Sequence, residues 1–281
     1  MTIEMISLEL LQSQLATHTL HLTEYQTEIH LNLYDSVACD QLATQAMAGR
    51  HLRFQAHTAD DLDAPRALPI CLCEDDYPGW IAATDLTHIH LASIPYHPLP
   101  LTQAQIQAQI PEVIAFAQAA MAEPNVYLWG GSIGPNYDCS GLIQRAFGHQ
   151  GIWLPRDAYQ QEAFVEAIPN PGTTPADWIE VLQPGDLIFF GTPEKADHVA
   201  LYLNEGRYLH SSGSETGRNG IGIDSLAKNT DGFGLDFDRR ISHHYYHRVR
   251  GVGRVVSSYQ SKMAASCDST ERKSASNSKN P

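Results

Sequence analysis

The run Tyr137-Asp138-Cys139-Ser140-Gly141-Leu142-Ile143-Gln144-Arg145-Ala146-Phe147-Gly148 decides how this chain is read. Leu142, Ile143 and Phe147 have the apolar spacing of a helix that begins at Ser140 and closes near Gly148. Cys139 therefore stands at a helix start, where unpaired backbone N–H groups and the helix dipole favour negative charge. A free thiol, with a pKa of about 8.5, is mostly protonated at neutral pH, and such a position is expected to pull that value down. The same N–H groups suit the oxyanion that forms when a carbonyl is attacked. Just upstream, Gly130, Gly131 and Gly134 let the backbone turn tightly and leave room for a substrate.

A nucleophilic thiol needs a base, and the best placed is His198 in Asp197-His198-Val199-Ala200-Leu201-Tyr202-Leu203, where a strand holds the ring at its start. Asn204-Glu205-Gly206 reads as a three-residue hairpin loop leading into Arg207-Tyr208-Leu209-His210-Ser211-Ser212. With Leu203 and Arg207 flanking the loop, His210 lies opposite Ala200 and is the diagonal neighbour of His198. The expected arrangement is His198 as base and His210 as the group that fixes its tautomer. Of 14 histidines, His18, His21, His88, His90, His243, His244 and His247 are assigned to surface or packing. No metal is expected: a zinc site from Cys139, His198 and His210 has the support of neither a His-Glu-x-x-His helix nor a Cys-x-x-Cys pair, and Cys71-x-Cys73 alone is a weak metal signal with no second pair beside it.

Toward the amino terminus, Ile94-Pro-Tyr-His-Pro-Leu-Pro-Leu101 is a stiff Pro-rich linker, placed at 97–102. Before it, over 1–96, short segments at Glu28–Tyr34, His51–Ala56, Leu68–Cys73 and Trp80–Ala83 suggest a small all-β barrel. Cys71 and Cys73 share one face of a strand and are read as packing residues. Beyond the linker, Ile106, Ile110, Val113, Ile114, Ala117, Ala120 and Met121 mark one buried helical face ending near Glu123. Pro111 is expected either to kink that helix or to open a second one. Strands are expected at Asp186–Phe190, His198–Leu203 and Arg207–Ser212, so 103–255 is an α+β domain. Residues 256–281, rich in Ser, Lys and Asn, are expected to form a disordered tail.

The chain has 281 residues and a formal net charge of −14, from 32 acidic and 18 basic side chains. That balance disfavours nucleic acid and anionic membrane as partners. The first twenty residues lack the basic start and unbroken apolar stretch of a secretory signal, and no segment reaches membrane-span length. Five cysteines (Cys39, Cys71, Cys73, Cys139 and Cys267) are unclustered. Cytoplasmic thiols, no cofactor and a monomer are the expectations.

Six motifs in register resemble the NlpC-type cell-wall cysteine peptidases, papain-like enzymes that cut bacterial peptidoglycan peptides: Tyr127-Leu-Trp-Gly-Gly131, Asp138-Cys-Ser-Gly-Leu142, Leu154-Pro-Arg-Asp-Ala158, Leu182-Gln-Pro-Gly-Asp-Leu187, His198-Val-Ala-Leu-Tyr202 and Tyr208-Leu-His210. The resemblance covers about 103–255 and implies helices packed on an antiparallel sheet, with Cys139, His198 and His210 as the catalytic set. It also implies an oxyanion contribution from the Tyr127 hydroxyl beside the Cys139 N–H. Asn32-Leu-Tyr34 and Glu74-Asp-Asp-Tyr-Pro-Gly-Trp-Ile81 resemble the bacterial Src-homology-3-like barrel that precedes the peptidase in a two-domain subgroup with cyanobacterial members.

In that subgroup the barrel restricts the groove to peptides with a free amino-terminal L-alanine, cut between γ-D-glutamate and the diamino acid. Carried over, Asp138 pairs with the substrate ammonium, Ser140 hydrogen-bonds near it and Tyr77 walls the pocket. Asp138 and Ser140 have a competing reading as the cap and first turn of the helix. The expected function is then a γ-D-glutamyl-L-diamino acid endopeptidase acting on free murein tripeptides or tetrapeptides during cell-wall recycling. Two alternatives are an inactive peptidoglycan-binding module and an acyltransferase using the same cysteine.

Overall fold

The computed structural model describes residues 6–215, 217–229, 232–233 and 239–262. The described chain forms two compact units, one of residues 6–99 with 259–262 and one of residues 100–258.

The first unit starts with a helix, α1 (Leu8–Ala16), whose Ser7 side chain caps the Leu10 N–H. Seven strands follow: β1 (Tyr25–Thr27), β2 (Leu31–Tyr34), β3 (Leu42–Ala46), β4 (His51–Phe54), β5 (Ala67–Leu72), β6 (Pro78–Ala82) and β7 (Ile89–Leu91). They form one antiparallel sheet in the order β3-β2-β6-β5-β4-β1-β7. The period of two decides which side chains enter the core: Leu31 and Leu33 are buried while Asn32 between them is exposed. The strands bear out a β domain here, but α1 lies within the 1–96 expected to be all-β, and β1, β3 and β7 were not expected either, being short and rich in Gln, Thr and His.

Two groups of buried charge occupy this unit. Arg50 bonds Glu74 (Nε–Oε2 2.8 Å) and Asp75 (Nη2–Oδ1 3.0 Å), and Arg53 pairs with Glu24. Cys71 and Cys73 are buried free thiols, and burial pushes the Cys71 thiol up to about 12. Tyr77, half-buried, closes the turn between β5 and β6, its carbonyl accepting from the Leu72 N–H at 2.9 Å. Residues 256–262, expected to start a disordered tail, are instead held by specific bonds. In this unit the Asp76 carboxylate accepts from Tyr259 Oη (3.2 Å), Ser261 Oγ (2.6 Å) and the Lys262 N–H (2.8 Å). The rest of that tail, with Cys267, lies outside the described residues.

The second unit opens with α2 (Gln103–Ala122), whose Thr102 and Gln105 form a capping box. Ile106, Ile110, Val113 and Ala117 are its buried row, and it stops at Glu123 as the following Pro124 requires. Pro111 neither breaks nor divides it: one helix runs throughout. A small hairpin, β8 (Ser132–Ile133) and β9 (Asn136–Tyr137), leads directly into α3 (Cys139–Gly148), followed by α4 (Ala158–Phe164).

Strands β10 (Glu166–Ala167), β11 (Leu187–Gly191), β12 (Ala196–Asn204), β13 (Arg207–Ser212) and β14 (Gly220–Ser225) come next. After a short pair, β15 (Lys228–Asn229) and β16 (Gly232–Phe233), come α5 (Arg239–Tyr246) and β17 (Val249–Arg254). The main sheet runs β10-β17-β11-β12-β13-β14 and every pairing is antiparallel.

Alternation along β11 and β12 gives this sheet two apolar faces. Leu187, Phe189, Val199 and Leu201 pack with α2 and α3, whereas Ile188, Phe190, Ala200 and Tyr202 pack with Ile241, Tyr245 and Tyr246 of α5. The unit is therefore α+β, with helices on an antiparallel sheet as expected. One detail differs. The β12–β13 turn has two residues, Glu205 and Gly206, both with positive φ (53° and 77°), and Leu203 forms a bulge before Asn204 pairs with Arg207. Two left-handed residues match the twist of the flanking strands, which a three-residue loop would not need.

Candidate active site

Asp138 is the N-cap of α3: its Oδ1 accepts from the Gly141 N–H at 2.6 Å. Its Oδ2 accepts from the Gly130 N–H at 2.9 Å, which ties the preceding glycine turn to the helix start. That approach is close. A Cβ on Gly141 would lie 2.1 Å from the Gly131 carbonyl oxygen, and one on Gly131 2.6 Å from that of Asn136, so neither position admits a side chain. The glycines read from sequence as room for substrate thus first make room for the helix.

Arg156 was not singled out by sequence reasoning, although it stands within the Leu154–Ala158 motif. Its guanidinium, 1% exposed, donates to both Asp138 oxygens (3.1 and 2.6 Å) and to Ser140 Oγ (3.0 Å). Ser140 Oγ in turn lies 3.4 Å from Asp138 Oδ1. The two residues expected to meet a substrate ammonium are therefore already engaged with each other and with a buried cation. Five donors approach the two oxygens of Asp138, close to what a carboxylate accepts. These bonds fit the cap reading of Asp138 and Ser140.

Cys139, 5% exposed, follows the cap. Its sulfur accepts from the N–H groups of Ser140 and Val199, which sets it against the backbone of the residue after His198. Burial, with the neighbouring Asp138 carboxylate, pushes the thiol up to about 12, against the pull of those two N–H groups and of Arg156. The helix start does not make a resting thiolate, contrary to expectation, because desolvation outweighs it. The sulfur is a neutral thiol that must lose its proton to a base when it reacts.

His198 at the start of β12 and His210 in β13 come together as the hairpin register predicts: Leu201 pairs with Leu209 and Tyr202 with Tyr208. The ring nitrogens His198 Nε2 and His210 Nδ1 are 2.7 Å apart. Burial, then the adjacent His210, Arg248 and His244, hold His198 well below the ordinary imidazole range, so at neutral pH it is uncharged and able to accept a proton. Burial also lowers His210, against the opposing pull of Asp224.

Two further side chains complete the set, and sequence reasoning missed both. Tyr245 of α5 stacks on the His198 ring (centroids 4.5 Å, planes 29°) and meets His210 edge-on at 4.7 Å. Asp224 of β14, fully buried, lies with Oδ2 2.8 Å from His210 Nε2. Asp224 left a faint trace in the sequence: Ile221, Ile223 and Asp224 are on a strand whose residues pair two by two with Arg207–Ser212. Tyr245 left none, since it stands in the polar run His243-His244-Tyr245-Tyr246-His247.

Tyr127 is half-buried, and its hydroxyl is pushed upward by burial and then by Cys139 and Asp138, so it stays protonated near Cys139. Tyr77 belongs to the first unit. Among the described residues, no group of three or more His, Cys, Asp or Glu side chains is arranged to hold a metal ion. Among those residues, too, no helix is long and apolar enough to cross a membrane.

Residues 124–231 match the NlpC/P60 family and residues 33–86 match the bacterial dipeptidyl-peptidase Sh3 domain. Among curated proteins, a γ-D-glutamyl-L-lysine dipeptidyl-peptidase of Bacillus cereus is 32% identical over 110 residues, 38% of this chain and 29% of that protein. One of the same name from Bacillus subtilis is 36% identical over 88 residues, 30% of this chain and 27% of that protein. The chain thus spans less than a third of the length of either relative. Among solved structures, an NlpC/P60 family protein from Bacillus cereus aligns with a TM-score of 0.40 and 20% identity, over 87% of this chain and 66% of that one. The helix that begins at Cys139 and the hairpin that carries His198 and His210 both fall inside the matched segment, and the chain carries an NlpC/P60 family domain preceded in sequence by a bacterial Sh3 domain.

Proposed function

We propose that the protein is a cysteine peptidase of peptidoglycan stem peptides. It hydrolyses the bond between γ-D-glutamate and the diamino acid in peptides with a free amino-terminal L-alanine, and serves murein recycling in the cytoplasm. The observation that carries this reading is the joining of Cys139 at the start of α3 to a buried imidazole pair: its sulfur accepts the N–H next to His198, which is hydrogen-bonded to His210. The names of the two Bacillus relatives support the choice of bond.

In this mechanism the Cys139 thiol passes its proton to His198 as sulfur attacks the γ-glutamyl carbonyl carbon. The carbonyl oxygen gains the negative charge and is met by the Cys139 N–H and the Tyr127 hydroxyl. His198 then returns the proton to the nitrogen of the diamino acid, which leaves as a free amine, and a thioester remains on Cys139. Water, deprotonated by the same imidazole, attacks the thioester; the C–S bond breaks, L-Ala-γ-D-Glu is released, and His198 returns the proton to the Cys139 sulfur. Asp138, Ser140 and Arg156 hold the helix start that carries the sulfur.

The test is incubation with L-Ala-γ-D-Glu-diaminopimelate beside its N-acetylated form. Release of L-Ala-γ-D-Glu from the free peptide alone is expected. Equal cleavage of both peptides overturns the amine requirement, and cleavage of neither overturns the substrate.

A further inference from the structure

The contacts of the catalytic histidines do not end at His210. Its Nε2 lies 2.8 Å from Asp224 Oδ2, and both side chains have no exposed surface. Asp224 Oδ1 accepts from Ser242 Oγ of α5 at 3.0 Å, and the Arg218 guanidinium pairs with Oδ2. Arg218 reaches it over Gly222, in the space a side chain there would fill. Gly222 stands opposite His210 in the β13–β14 ladder, and a Cβ there would lie 2.2 Å from Arg218 Nε. A side chain at 222 would thus push the guanidinium off Asp224.

We propose that Asp224 is the positioning residue that selects which nitrogen of His198 is the base. The proposal rests on the thiol–imidazole reading of the site, not on the identity of the substrate. A carboxylate paired with a guanidinium only accepts hydrogen bonds, so His210 carries its proton on Nε2 and offers a bare Nδ1. That nitrogen can only accept from His198, which must then hold its proton on Nε2. Nδ1 of His198 is left unprotonated and free to take the thiol proton. When it does, His198 becomes an imidazolium whose Nε2–H still points at His210, and the Asp224 charge at the far end of the chain offsets the new positive charge. One buried carboxylate, two strands away from the strand that carries the base, assigns both tautomers.

Arg218 moderates this effect, since it faces the same carboxylate and opposes protonation of His210. The other groups facing the two rings are Tyr208 on β13, Tyr245 on α5, and His244 and Arg248 beside His198. None of these is a carboxylate. Removing Asp224 and removing Arg218 should therefore have opposite effects on the pH at which His210 gains a proton.

The readout is alkylation of Cys139 by iodoacetamide, followed as a function of pH by mass spectrometry of the Cys139 peptide, which keeps Cys39 and the other thiols apart. Nitrogen-15 spectra of the histidine rings are recorded on the same samples. Wild type should show His198 protonated at Nε2. Asp224→Ala should slow alkylation at pH 7 at least tenfold and give mixed His210 tautomers. Arg218→Met and Gly222→Ala should keep the wild-type tautomers and move the acid limb of the alkylation profile to higher pH. Should Asp224→Ala not fold, Asp224→Asn, of the same shape, is read in its place.

A wild-type His198 protonated at Nδ1 would falsify the proposal. So would an Asp224 variant that is folded and has unchanged alkylation and tautomers. If alkylation behaves as expected while murein peptides are not cut, the substrate reading falls and this one stands.

Discussion

Arg156 holds both oxygens of Asp138 in an ion pair that is 1% and 10% exposed at its two side chains, one residue from Cys139. Breaking a buried pair by removing one partner leaves the other charge without compensation, at a cost of about 3–5 kcal/mol. Arg156→Met should therefore lower unfolding stability by that amount in urea titrations. Arg156→Lys should recover little of it, because an ammonium does not reproduce the forked contact with Asp138 and Ser140. Equal stability of Arg156→Met and wild type would contradict this account.

Gly141→Ala offers a purely steric test of the same region. The added carbon meets a backbone oxygen 2.1 Å away, and backbone cannot swing aside as a long side chain can. A loss of about 3 kcal/mol or more is expected from overpacking, read as a fall in Tm, with Cys139 reactivity disturbed in whatever protein still folds. A folded variant with wild-type Tm would show that the hairpin and α3 are not pressed together.

The buried imidazoles predict how stability varies with pH. In the unfolded chain each ring takes up a proton near pH 6.5, whereas His198 and His210 resist it when folded. Below that pH the unfolded state binds more protons, so stability should fall from about pH 7 to pH 5, at up to about 1.4 kcal/mol per pH unit for each ring. Above pH 7 both rings are neutral in both states and the effect vanishes. Urea unfolding of wild type and His198→Gln at pH 7.5, 6.5 and 5.5 measures it; the variant should have the shallower slope, and equal slopes refute the assignment.

Tyr245 holds His198 by ring stacking. Tyr245→Phe keeps the ring and should stay within a few-fold of wild type in kcat, while Tyr245→Leu should lose about ten- to a hundred-fold, as misplacement of a reacting group does. KM should change little in either. A Leu variant as active as the Phe variant would mean that the strand alone fixes the imidazole.

In the first unit, Asp76 is the clasp for residues 259–262. Asp76→Ala removes three hydrogen bonds, each worth about 0.5–1.5 kcal/mol. Limited trypsin digestion should then cleave after Lys262 several-fold faster than in wild type, as followed by intact mass. Unchanged cleavage kinetics would show that the clasp contributes nothing.

Much of the site was legible in the sequence because it is local. Cys139 was marked by its own helix, and His198 and His210 by a hairpin whose register follows from counting across Asn204-Glu205-Gly206 and is kept by the bulge at Leu203. What was not legible depends on the fold bringing distant segments together. Asp224 is 14 residues from His210 and reaches it only through a second hairpin. Tyr245 arrives on a helix whose apolar face is made of Ile241, Tyr245 and Tyr246 among histidines and arginines.

The resting charge state was also misjudged, for an energetic reason: a helix N-terminus is readable in sequence, but the depth at which it is buried is not, and depth decided the pKa of Cys139. The functional weight given to Asp138 and Ser140 changed for a related reason, since the buried cation that occupies them is 18 and 16 residues away.

The line His198–His210–Asp224 runs obliquely over β12, β13 and β14, one member per strand. The buried polar line therefore depends on the register of three strands, and the chain should tolerate changes of length very unevenly. Residues added to the loop between Ser212 and Gly220 lie outside the ladder and should leave the line intact. A single residue added within β13 turns every following side chain to the opposite face, so that one deletion or insertion disconnects the base from its carboxylate without altering any residue of the site. An insertion scan of this domain would draw the outline of the line His198–His210–Asp224 as sharply as a substitution scan.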